Sequence, residues 1–375
     1  MQLLIVFTVC CFLSTTAYSN DNIWPSPVWS QKEPAQLAVD PIKLKAFEKY
    51  AFSEEEDFKS DSLLVAYKGH IIFERYAPNF DRQKSHRLWS ITKSVSIALI
   101  GIALKESLLS LNDLPKLDFP QLENSPFTKA PLKVLDLTRM SSGLDWNEGY
   151  EGNPLGSDVI KMLYTEGYKD MASYTASRPI KYPAGTRFNY SSGETNLMMA
   201  VLKARIGNQK KYNNYPWNKL FRILNINSAV WEQDASGTFV GSSYLYMTAR
   251  DLARFGYLFL RKGMWSAYNV LPYQWVSRFT AKLAPSVELT HKKGDDRRSS
   301  YGAHWWLNRD LPLKKEKRRY PSIPKTAYFG LGHHGQKLAI LPSHDLVMVR
   351  FASDKKGSID FDKLISLLLK AVPAI

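Results

Sequence analysis

Apolar residues form short runs near the two ends of the chain, and these runs are typical of β-strands. Residues 62–67 and 70–76 are rich in β-branched and aromatic side chains and flank a Lys68-Gly69 turn, which predicts a two-stranded hairpin. Similar runs come late in the sequence. Because the strands are divided between the two ends, we expect a single antiparallel sheet built from both. The late runs are residues 327–332, 337–341 and 346–352.

In the middle of the chain, apolar residues recur at helical spacing and several of these stretches end at a glycine, which predicts helices. Gly207 and Gly263 each follow a helical pattern, as expected at helix C-termini. Residues 20–39 are rich in Pro, Trp and Gln and predict an extended lead-in. The order of elements predicts an α+β fold, with helices inserted between the early and late strands and a cleft between sheet and insertion. The predicted helices are residues 41–52, a helix from Ser90 through the apolar run 95–104, and residues 131–140, 196–206, 248–261 and 361–371.

Ser90 and Lys93 are the strongest indication of chemistry. Three residues on a helix make almost one turn, so the Ser90 hydroxyl and the Lys93 amine are expected on the same face. The run 95–104 is apolar on all sides, which predicts a buried helix and a Lys93 pKa lowered by desolvation. A serine beside a partly neutral amine is an activated nucleophile. At a helix N-terminus its backbone N–H can also stabilise an oxyanion.

The Ser-x-x-Lys spacing is weak evidence without its context. It occurs twice more, at 322–325 and 353–356. Pro324 breaks the helical register of the first copy, and Gly357 follows the second with no apolar helix behind it. For Ser90 one alternative stays open, namely a helix-capping serine followed by a lysine that extends to solvent.

Tyr190 is a candidate proton shuttle because it lies just before a predicted helix. A tyrosine near an ammonium group can become a phenolate and accept a proton. The alternative is a packed aromatic ring without a chemical role. Ser191 and Glu194 match a capping box, which predicts a structural role for Ser191.

A third candidate segment, residues 330–336, satisfies the pattern Gly-x-Gly-x-x-Gly. A dinucleotide site requires a helix to begin there, whereas the following residues are strand-like. Glycines on a strand instead indicate close approach of a ligand to the backbone. His333 and His334 would face opposite sides of a strand, and no third ligand has suitable spacing, so we predict no metal site.

Composition and charge narrow the functional classes. The apolar run 3–13, followed by Ala-Tyr-Ser at 17–19, predicts a secretory signal peptide with the mature chain beginning near Asn20; an uncleaved anchor is the alternative. Cys10 and Cys11 are the only cysteines and lie in that segment, so cysteine catalysis is excluded for the mature protein. The net charge of +15 favours anionic surroundings, but no basic repeat or nucleic-acid-binding motif is found, so nucleic acid is not an expected partner.

Taken together, these segments resemble the serine hydrolases that include class C β-lactamases, D-alanyl-D-alanine carboxypeptidases, related esterases and 6-aminohexanoate-dimer hydrolase. Their Ser-x-x-Lys motif matches Ser90 to Lys93, their Tyr-x-Asn motif matches 190–192, and their Lys/His-x-Gly motif matches 333–335. Ser192 replaces an asparagine of the β-lactamases and His333 replaces their lysine, which argues against β-lactamase activity. The residues around Ser90 are most similar to the 6-aminohexanoate-dimer hydrolase branch, which contains amidases and esterases.

The resemblance implies a role for each matched residue. Ser90 would attack an amide or ester carbonyl while Lys93 and Tyr190 share its proton, and no cofactor would be needed. The oxyanion would be bound by the backbone N–H groups of Ser90 and Gln336. The residues implied to contact substrate are Ser192, His333, His334 and Gly335.

The predicted organisation is a signal peptide over 1–19, an extension with the first helix over 20–60, and a hydrolase domain over 61–375. We expect a periplasmic or secreted enzyme without stable membrane insertion after signal cleavage, acting on a small or short peptide-like substrate. One alternative function is a D-alanyl peptidase or weak β-lactamase acting on cell-wall-type substrates. Another is a non-catalytic homologue that binds the cell wall.

Overall fold

The computed structural model describes residues 22–54, 57–115, 132–150, 156–290, 300–354 and 358–375. The predicted signal peptide, with Cys10 and Cys11, lies outside these ranges, so export stays a prediction. Within the described ranges, no helix has both the length and the apolar character needed to cross a membrane.

One large sheet organises the fold. The strands of the described chain are β1 (Ser30–Gln31), β2 (Ser60–Tyr67), β3 (His70–Tyr76), β4 (His86–Arg87), β5 (Val230–Trp231), β6 (Leu245–Met247), β7 (Met264–Trp265), β8 (Tyr268–Asn269), β9 (Ser300–Tyr301), β10 (Trp306–Leu307), β11 (Tyr328–Gly332), β12 (Gln336–Leu341) and β13 (Leu346–Ala352). The large sheet has the order β1-β3-β2-β13-β12-β11-β10-β9, and two small sheets have the orders β4-β6-β5 and β7-β8.

The sheet joins the two ends of the chain, as predicted. The early hairpin β2–β3 lies beside the late strand β13, with Leu64 opposite Val349. Its strand pairs are antiparallel except for β1 and β3, which are parallel. This confirms the predicted α+β class and antiparallel sheet. The two-residue strands β1, β9 and β10 were not predicted, because so short a segment carries no periodic pattern.

Helices cover both faces of the sheet. They are α1 (Pro41–Ala51), α2 (Thr92–Lys105), α3 (Val134–Thr138), α4 (Asp158–Ile160), α5 (Met171–Ala176), α6 (Ser192–Ile206), α7 (Gln209–Pro216), α8 (Ala249–Leu260), α9 (Pro285–Thr290) and α10 (Phe361–Ala371). Wider π-type turns follow at Lys161–Thr165, Trp217–Phe221 and Trp275–Thr280.

Alternate residues of β2 belong to two different cores. Leu63 and Val65 pack in the cluster that contains α1 and α10. Leu64 and Ala66 point the other way, into the larger cluster that contains α2, α6 and α8. Because both faces are covered, every residue of β2 is buried, and the strand has a continuous apolar run instead of an alternating pattern.

Most predicted helices are present, with shifted ends. The helix predicted at 196–206 begins earlier, at Ser192, and ends as expected at Gly207, whose φ of +67° lies in the left-handed region. The helix predicted over 131–140 extends only over α3, and residue 131 lies outside the described ranges. Ser90 does not lie in α2 itself but in a short 3₁₀ turn, Trp89–Ile91, that leads directly into it.

Candidate active site

Ser90 is held between the start of α2 and the end of β11. The backbone N–H of Leu88, just before the 3₁₀ turn, donates to the Leu245 carbonyl at 2.8 Å. On the other side, a Cβ atom added to Gly332 would lie 2.5 Å from the Leu88 carbonyl oxygen, so only glycine allows this close approach. Trp89 has a φ of +50°, an uncommon conformation for a bulky residue directly before Ser90. Packing on both sides therefore fixes the position of Ser90.

Lys93 lies beneath Ser90, one turn along the chain. Its side chain is 1% exposed, in a helix buried on all sides from Thr92 to Ala103. The amine donates to Ser90 Oγ at 3.1 Å, to Ser192 Oγ at 2.9 Å and to the Ser242 carbonyl at 3.1 Å. Burial lowers the Lys93 pKa from its usual 10.5 to about 8, although the Glu148 carboxylate opposes this effect. A substantial fraction of this amine is therefore neutral near pH 8.

Tyr190 approaches Ser90 as well. The side chains of Ser90 and Tyr190 are hydrogen-bonded, and the Lys93 amine lies 4.9 Å from the centre of the tyrosine ring. The ring stacks on Trp306 at 5.1 Å between centroids. Burial raises the Tyr190 pKa above its ordinary value, and the Glu148 charge raises it further. The Tyr190 phenol is therefore harder to deprotonate than a tyrosine in water, which runs against the sequence expectation of a phenolate.

Ser191 and Ser192 have structural contacts at the start of α6. Ser191 Oγ accepts from the Glu194 N–H at 3.1 Å, which confirms the predicted helix cap. The capping box is incomplete, because the Glu194 carboxylate accepts instead from Ser142 Oγ at 2.7 Å. Ser192 is fully buried behind Lys93. This differs from the sequence expectation, which placed Ser192 at the substrate.

Glu148 is the site residue that sequence reasoning missed. Its carboxylate lies 3.9 Å from the Lys93 amine, with the side chain 14% exposed. It accepts from Ser192 Oγ at 2.5 Å, from the Ser192 N–H at 2.8 Å and from Trp146 Nε1 at 2.7 Å. Glu148 has no recognisable spacing from Ser90 or Lys93. The sequence contained only a general indication of such a residue, because a buried lysine requires a polar or acidic partner.

A small cavity opens beside the Ser90 hydroxyl. Its volume is about 160 Å³. The residues that line it come from the turn before α2, the chain before α6, β10, the chain before β11, and β11 itself. They are Ser90, Tyr190, Trp306, Arg319, Leu331 and Gly332.

The third predicted segment directly follows the end of β11 that lines this cavity. His333–Gly335 form a 3₁₀ turn between β11 and β12 instead of continuing a strand. The carbonyl of His334 accepts from Asp354 N–H at 3.2 Å, and that of Gly335 accepts from Arg350 at 3.0 Å. Both residues therefore contact the end of β13 or the residues that follow it.

Gln336 and His333 are held by contacts with neighbouring segments. The Gln336 side chain donates to the Ala352 carbonyl at 2.6 Å and accepts from the Ala352 N–H at 3.1 Å. The His333 ring stacks on Tyr150, with centroids 5.1 Å apart, and meets the edge of Trp89 at 5.2 Å. Residues 333–336 directly follow Leu331 and Gly332, which line the cavity, and their expected contacts with the substrate and the oxyanion stay predictions.

Within the described ranges, no group of three His, Cys, Asp or Glu side chains is arranged to hold a metal ion. The geometry near Ser90 is instead that of an acyl-transfer site: a hydroxyl nucleophile, a desolvated amine, a phenol and a cavity meet at one point.

Comparison with known proteins agrees with this geometry. The chain is 25% identical over 348 residues to 6-aminohexanoate-dimer hydrolase of Paenarthrobacter ureafaciens, covering 88% of this chain and 83% of that one. Among solved structures, the fold is similar to a putative 6-aminohexanoate-dimer hydrolase from Bacillus anthracis, with a TM-score of 0.66, 21% identity, and coverage of 87% and 79% of the two chains. It is also similar to a putative β-lactamase from Bacteroides dorei, with a TM-score of 0.66, 16% identity, and coverage of 89% and 99%.

One protein-family model also matches most of the chain. The β-lactamase family model covers residues 47–371, a range that contains the large sheet except for β1, the inserted helices and the Ser90 site. With this match, the predicted fold and the predicted enzyme class are both confirmed. The chain belongs to the β-lactamase family and is a serine hydrolase related to 6-aminohexanoate-dimer hydrolase.

Proposed function

We propose that this protein cleaves an amide or ester bond through an acyl-enzyme formed on Ser90. The observation that carries the proposal is the contact of one hydroxyl with two proton-transferring groups. Ser90 Oγ accepts from the buried Lys93 amine at 3.1 Å and is hydrogen-bonded to Tyr190, and it faces the cavity. A nucleophile between a base and an acid is the arrangement that acyl transfer requires.

The two groups have different tasks in the proposed reaction. Neutral Lys93 takes the proton of Ser90 as its oxygen attacks the carbonyl carbon. The Tyr190 phenol gives its proton to the leaving nitrogen or oxygen as the scissile bond breaks. The proton held by Lys93 then restores the phenol, so one proton passes in total from Ser90 to the leaving group. Water attacks the acyl-enzyme next and releases the acid.

The oxyanion is stabilised by backbone N–H groups in this proposal. The first is that of Ser90, at the turn before α2. For the second, the sequence predicted Gln336, but the cavity lining favours the backbone at the end of β11, next to Gly332. The close approach of Gly332 to Leu88 supports this choice, because it holds the β11 backbone against the Ser90 turn. Loss of one such donor typically costs about 3 kcal/mol in the barrier.

The relationship to 6-aminohexanoate-dimer hydrolase supports small linear amides and esters as substrates. The predicted export remains part of the proposal, since it rests on the sequence alone. The proposed reaction uses only protein groups and water.

A chromogenic ester tests the proposal directly. We expect wild-type protein to hydrolyse p-nitrophenyl butyrate and Ser90→Ala to lose this activity with its circular dichroism spectrum unchanged. Ser322→Ala is the matched control, because Ser322 has the same spacing to a lysine but is exposed. A fluorophosphonate probe should label Ser90, as located by mass spectrometry of peptides. Full hydrolysis by Ser90→Ala, or a label on another residue, would contradict the proposal.

A further inference from the structure

The turn between β11 and β12 has an unusual backbone. His334 has a φ of +56° and Gly335 a φ of +85°, so two consecutive residues lie in the left-handed region. A residue with a side chain, such as His334, adopts this conformation at an energetic cost, and the conformation persists only where the surroundings fix it. The turn directly follows Leu331 and Gly332, which line the Ser90 cavity. The contacts that fix the turn therefore also help to fix the end of β11.

A buried ion pair near the end of β13 provides such contacts. The side chains of Arg350 and Asp354 are 0% and 3% exposed. The Arg350 guanidinium donates two parallel hydrogen bonds to the Asp354 carboxylate, at 2.8 and 2.9 Å. It also donates to the Gly335 carbonyl at 3.0 Å, and its Nε donates to Ser60 Oγ at 2.8 Å. One guanidinium therefore connects the turn, the carboxylate and the start of β2.

Asp354 contacts the turn through its backbone as well. Its N–H donates to the His334 carbonyl at 3.2 Å, and its carbonyl oxygen lies 3.3 Å from His334 Nδ1. A Cβ atom added to Gly335 would overlap the Asp354 carboxylate and would lie 2.7 Å from a guanidinium nitrogen of Arg350. The turn therefore packs directly against the ion pair, and only glycine allows this contact.

Stability alone is a weak reason for an ion pair at this position. Burying two charges has a desolvation cost, and an apolar pair of similar volume is often equally stable or more stable. An apolar pair would, however, have no donor to direct at the Gly335 carbonyl. The feature that distinguishes the ion pair from an apolar replacement is therefore its hold on the turn.

We propose that Arg350 and Asp354 are positioning residues for the reaction at Ser90: they hold the turn 333–335 so that a backbone N–H at the end of β11 is directed at the oxyanion. Neither side chain lines the cavity, so both act through the turn. This inference rests on the proposed acyl-enzyme function of Ser90. An oxyanion donor acts mainly on the transition state, so displacement of the turn should lower kcat and leave KM almost unchanged.

A double variant removes the ion pair without leaving a buried charge unpaired. Arg350→Met combined with Asp354→Leu should lower kcat for p-nitrophenyl butyrate about a hundredfold, because a displacement of about 1 Å in the reacting groups can cost this factor. KM should stay within about twofold of the wild-type value. Arg350→Lys should lose less, because it keeps the charge but not the fork that reaches both Gly335 and Asp354. Circular dichroism and urea denaturation check that each variant is folded under the assay conditions.

A second ion pair of the same sheet is the matched control. Arg250 and Glu74 lie 2.6 Å apart and are partly buried, but they join α8 to β3 instead of holding the turn. Arg250→Met combined with Glu74→Leu should therefore keep the wild-type kcat and KM.

A transition-state analogue gives a readout that a merely structural role would not move. Ser90 Oγ adds to the carbonyl carbon of propyl trifluoromethyl ketone, the carbonyl oxygen becomes the oxyanion, the serine proton moves to Lys93, and no group leaves. The inhibition constant of this ketone should rise in the Arg350→Met, Asp354→Leu variant by about the factor by which kcat falls. The acid limb of kcat/KM should stay in place, because the contacts of Lys93 with Ser90 and Glu148 are retained.

The outcomes separate this inference from the proposed function. A wild-type kcat in the Arg350→Met, Asp354→Leu variant, an equal loss in the control pair, a loss in KM alone or a shifted acid limb would each overturn the positioning role and leave the Ser90 mechanism intact. If the double variant does not fold, Arg350→Lys and Asp354→Asn take its place, each with an expected loss of about tenfold in kcat. A wild-type kcat in both would overturn the role. Full hydrolysis by Ser90→Ala would instead remove the function on which the inference rests.

Discussion

Two of the three serines that are followed three residues later by a lysine, Ser90 and Ser322, lie in very different surroundings. Lys93 is 1% exposed and donates to three oxygens, including that of its serine. Lys325 is 60% exposed and pairs with Asp310 on the surface. Both lysines have the same spacing in sequence. The buried lysine has its pKa lowered to about 8 and contacts its serine, so the packing around the pair determines the chemistry.

A second comparison shows that burial alone does not make a base. Lys337 on β12 also has its pKa lowered to about 8, by desolvation first and by the charge of Arg350 second. Its amine lies 5.5 Å from the centre of the Phe361 ring, on the side of the sheet covered by α10. Lys93, in contrast, contacts a hydroxyl that faces a cavity. A lowered pKa indicates a functional site only where the geometry gives the group a reaction partner.

The comparison of the two Ser-x-x-Lys copies predicts the largest effect. Lys93→Ala should reduce kcat/KM for p-nitrophenyl butyrate about a thousandfold, because Ser90 loses its base. Lys325→Ala should leave the rate unchanged, since its amine lies at the surface. Circular dichroism checks that both variants fold. Equal rates in the two variants would remove the distinction between the copies.

Tyr190→Phe is expected to have the next largest effect. Loss of the phenol should lower the rate on an anilide about a hundredfold, because an amine leaving group needs a proton. The loss on a p-nitrophenyl ester should be smaller, since p-nitrophenolate leaves without one. Tyr301→Phe, which removes a hydroxyl from a buried ring near Tyr190, serves as the control. A uniform loss on both substrates would favour a packing role for Tyr190.

Glu148→Gln should change the pH dependence more than the maximal rate. The Glu148 charge raises the Lys93 pKa, so its removal should lower that pKa further and shift the acid limb of kcat/KM to lower pH. The amide oxygen keeps two acceptor sites for the Ser192 N–H and Trp146 Nε1, whereas the bond that Ser192 Oγ donates to the other carboxylate oxygen is lost. Initial rates between pH 5 and pH 10 measure the shift. An acid limb that stays in place, or that moves to higher pH, would exclude this electrostatic role.

His304 is a buried histidine that has no part in the proposed reaction. We expect its protonation to change the free energy of unfolding and not the chemistry at Ser90. His304 is buried, and its ring contacts Thr195 Oγ1 and the Thr138 carbonyl, each at 3.0 Å. Burial lowers its pKa from 6.5 to about 3, so below pH 6.5 the unfolded chain binds a proton that the folded protein does not. The free energy of unfolding should therefore decrease as the pH is lowered below 6.5. This histidine contributes at most about 1.4 kcal/mol of that decrease per pH unit.

Urea denaturation at pH 7 and pH 5 tests this expectation. His304→Gln should be less stable than wild type at pH 7 because it loses hydrogen bonds, but its stability should fall less steeply between the two pH values. His344→Gln is the control, since His344 is half-buried at a turn and should leave most of the slope intact. An unchanged slope in His304→Gln would show that other groups account for the acid sensitivity.

The sequence predicted those features that depend on local pattern. The hairpin 62–76, the late strands and the final helix follow from apolar periodicity, and the structure has them at nearly the predicted positions. Ser90 and Lys93 could be paired because their relation is local: three residues of one turn and an apolar run behind them. Tyr190 was selected from its place before a helix, whereas the burial that raises its pKa is not evident from the sequence.

Features that depend on long-range contacts could not be predicted in this way. Glu148 reaches Lys93 from a separate segment, and Arg319 reaches the Ser90 cavity from a loop far along the chain. In the glycine-rich segment 330–336, a shift of a few residues along the chain changes which residues line the cavity. Its match to a short motif favoured residues 333–336, whereas the strand that contacts the Ser90 turn ends at Gly332. The position of β11 along the Ser90 turn decides which residues line the cavity. That position can be determined only from the folded structure.

The central claim is that neutral Lys93 removes the proton of Ser90, and the pH dependence of Ser90 acylation tests it most directly. The rate constant for labelling by a fluorophosphonate should be measured from pH 5 to pH 10, with the labelled residue located by mass spectrometry. We predict that this rate increases with pH and levels off above the Lys93 pKa of about 8, while labelling of Lys93→Ala is slow throughout. A wild-type rate that does not change across this range would contradict the account.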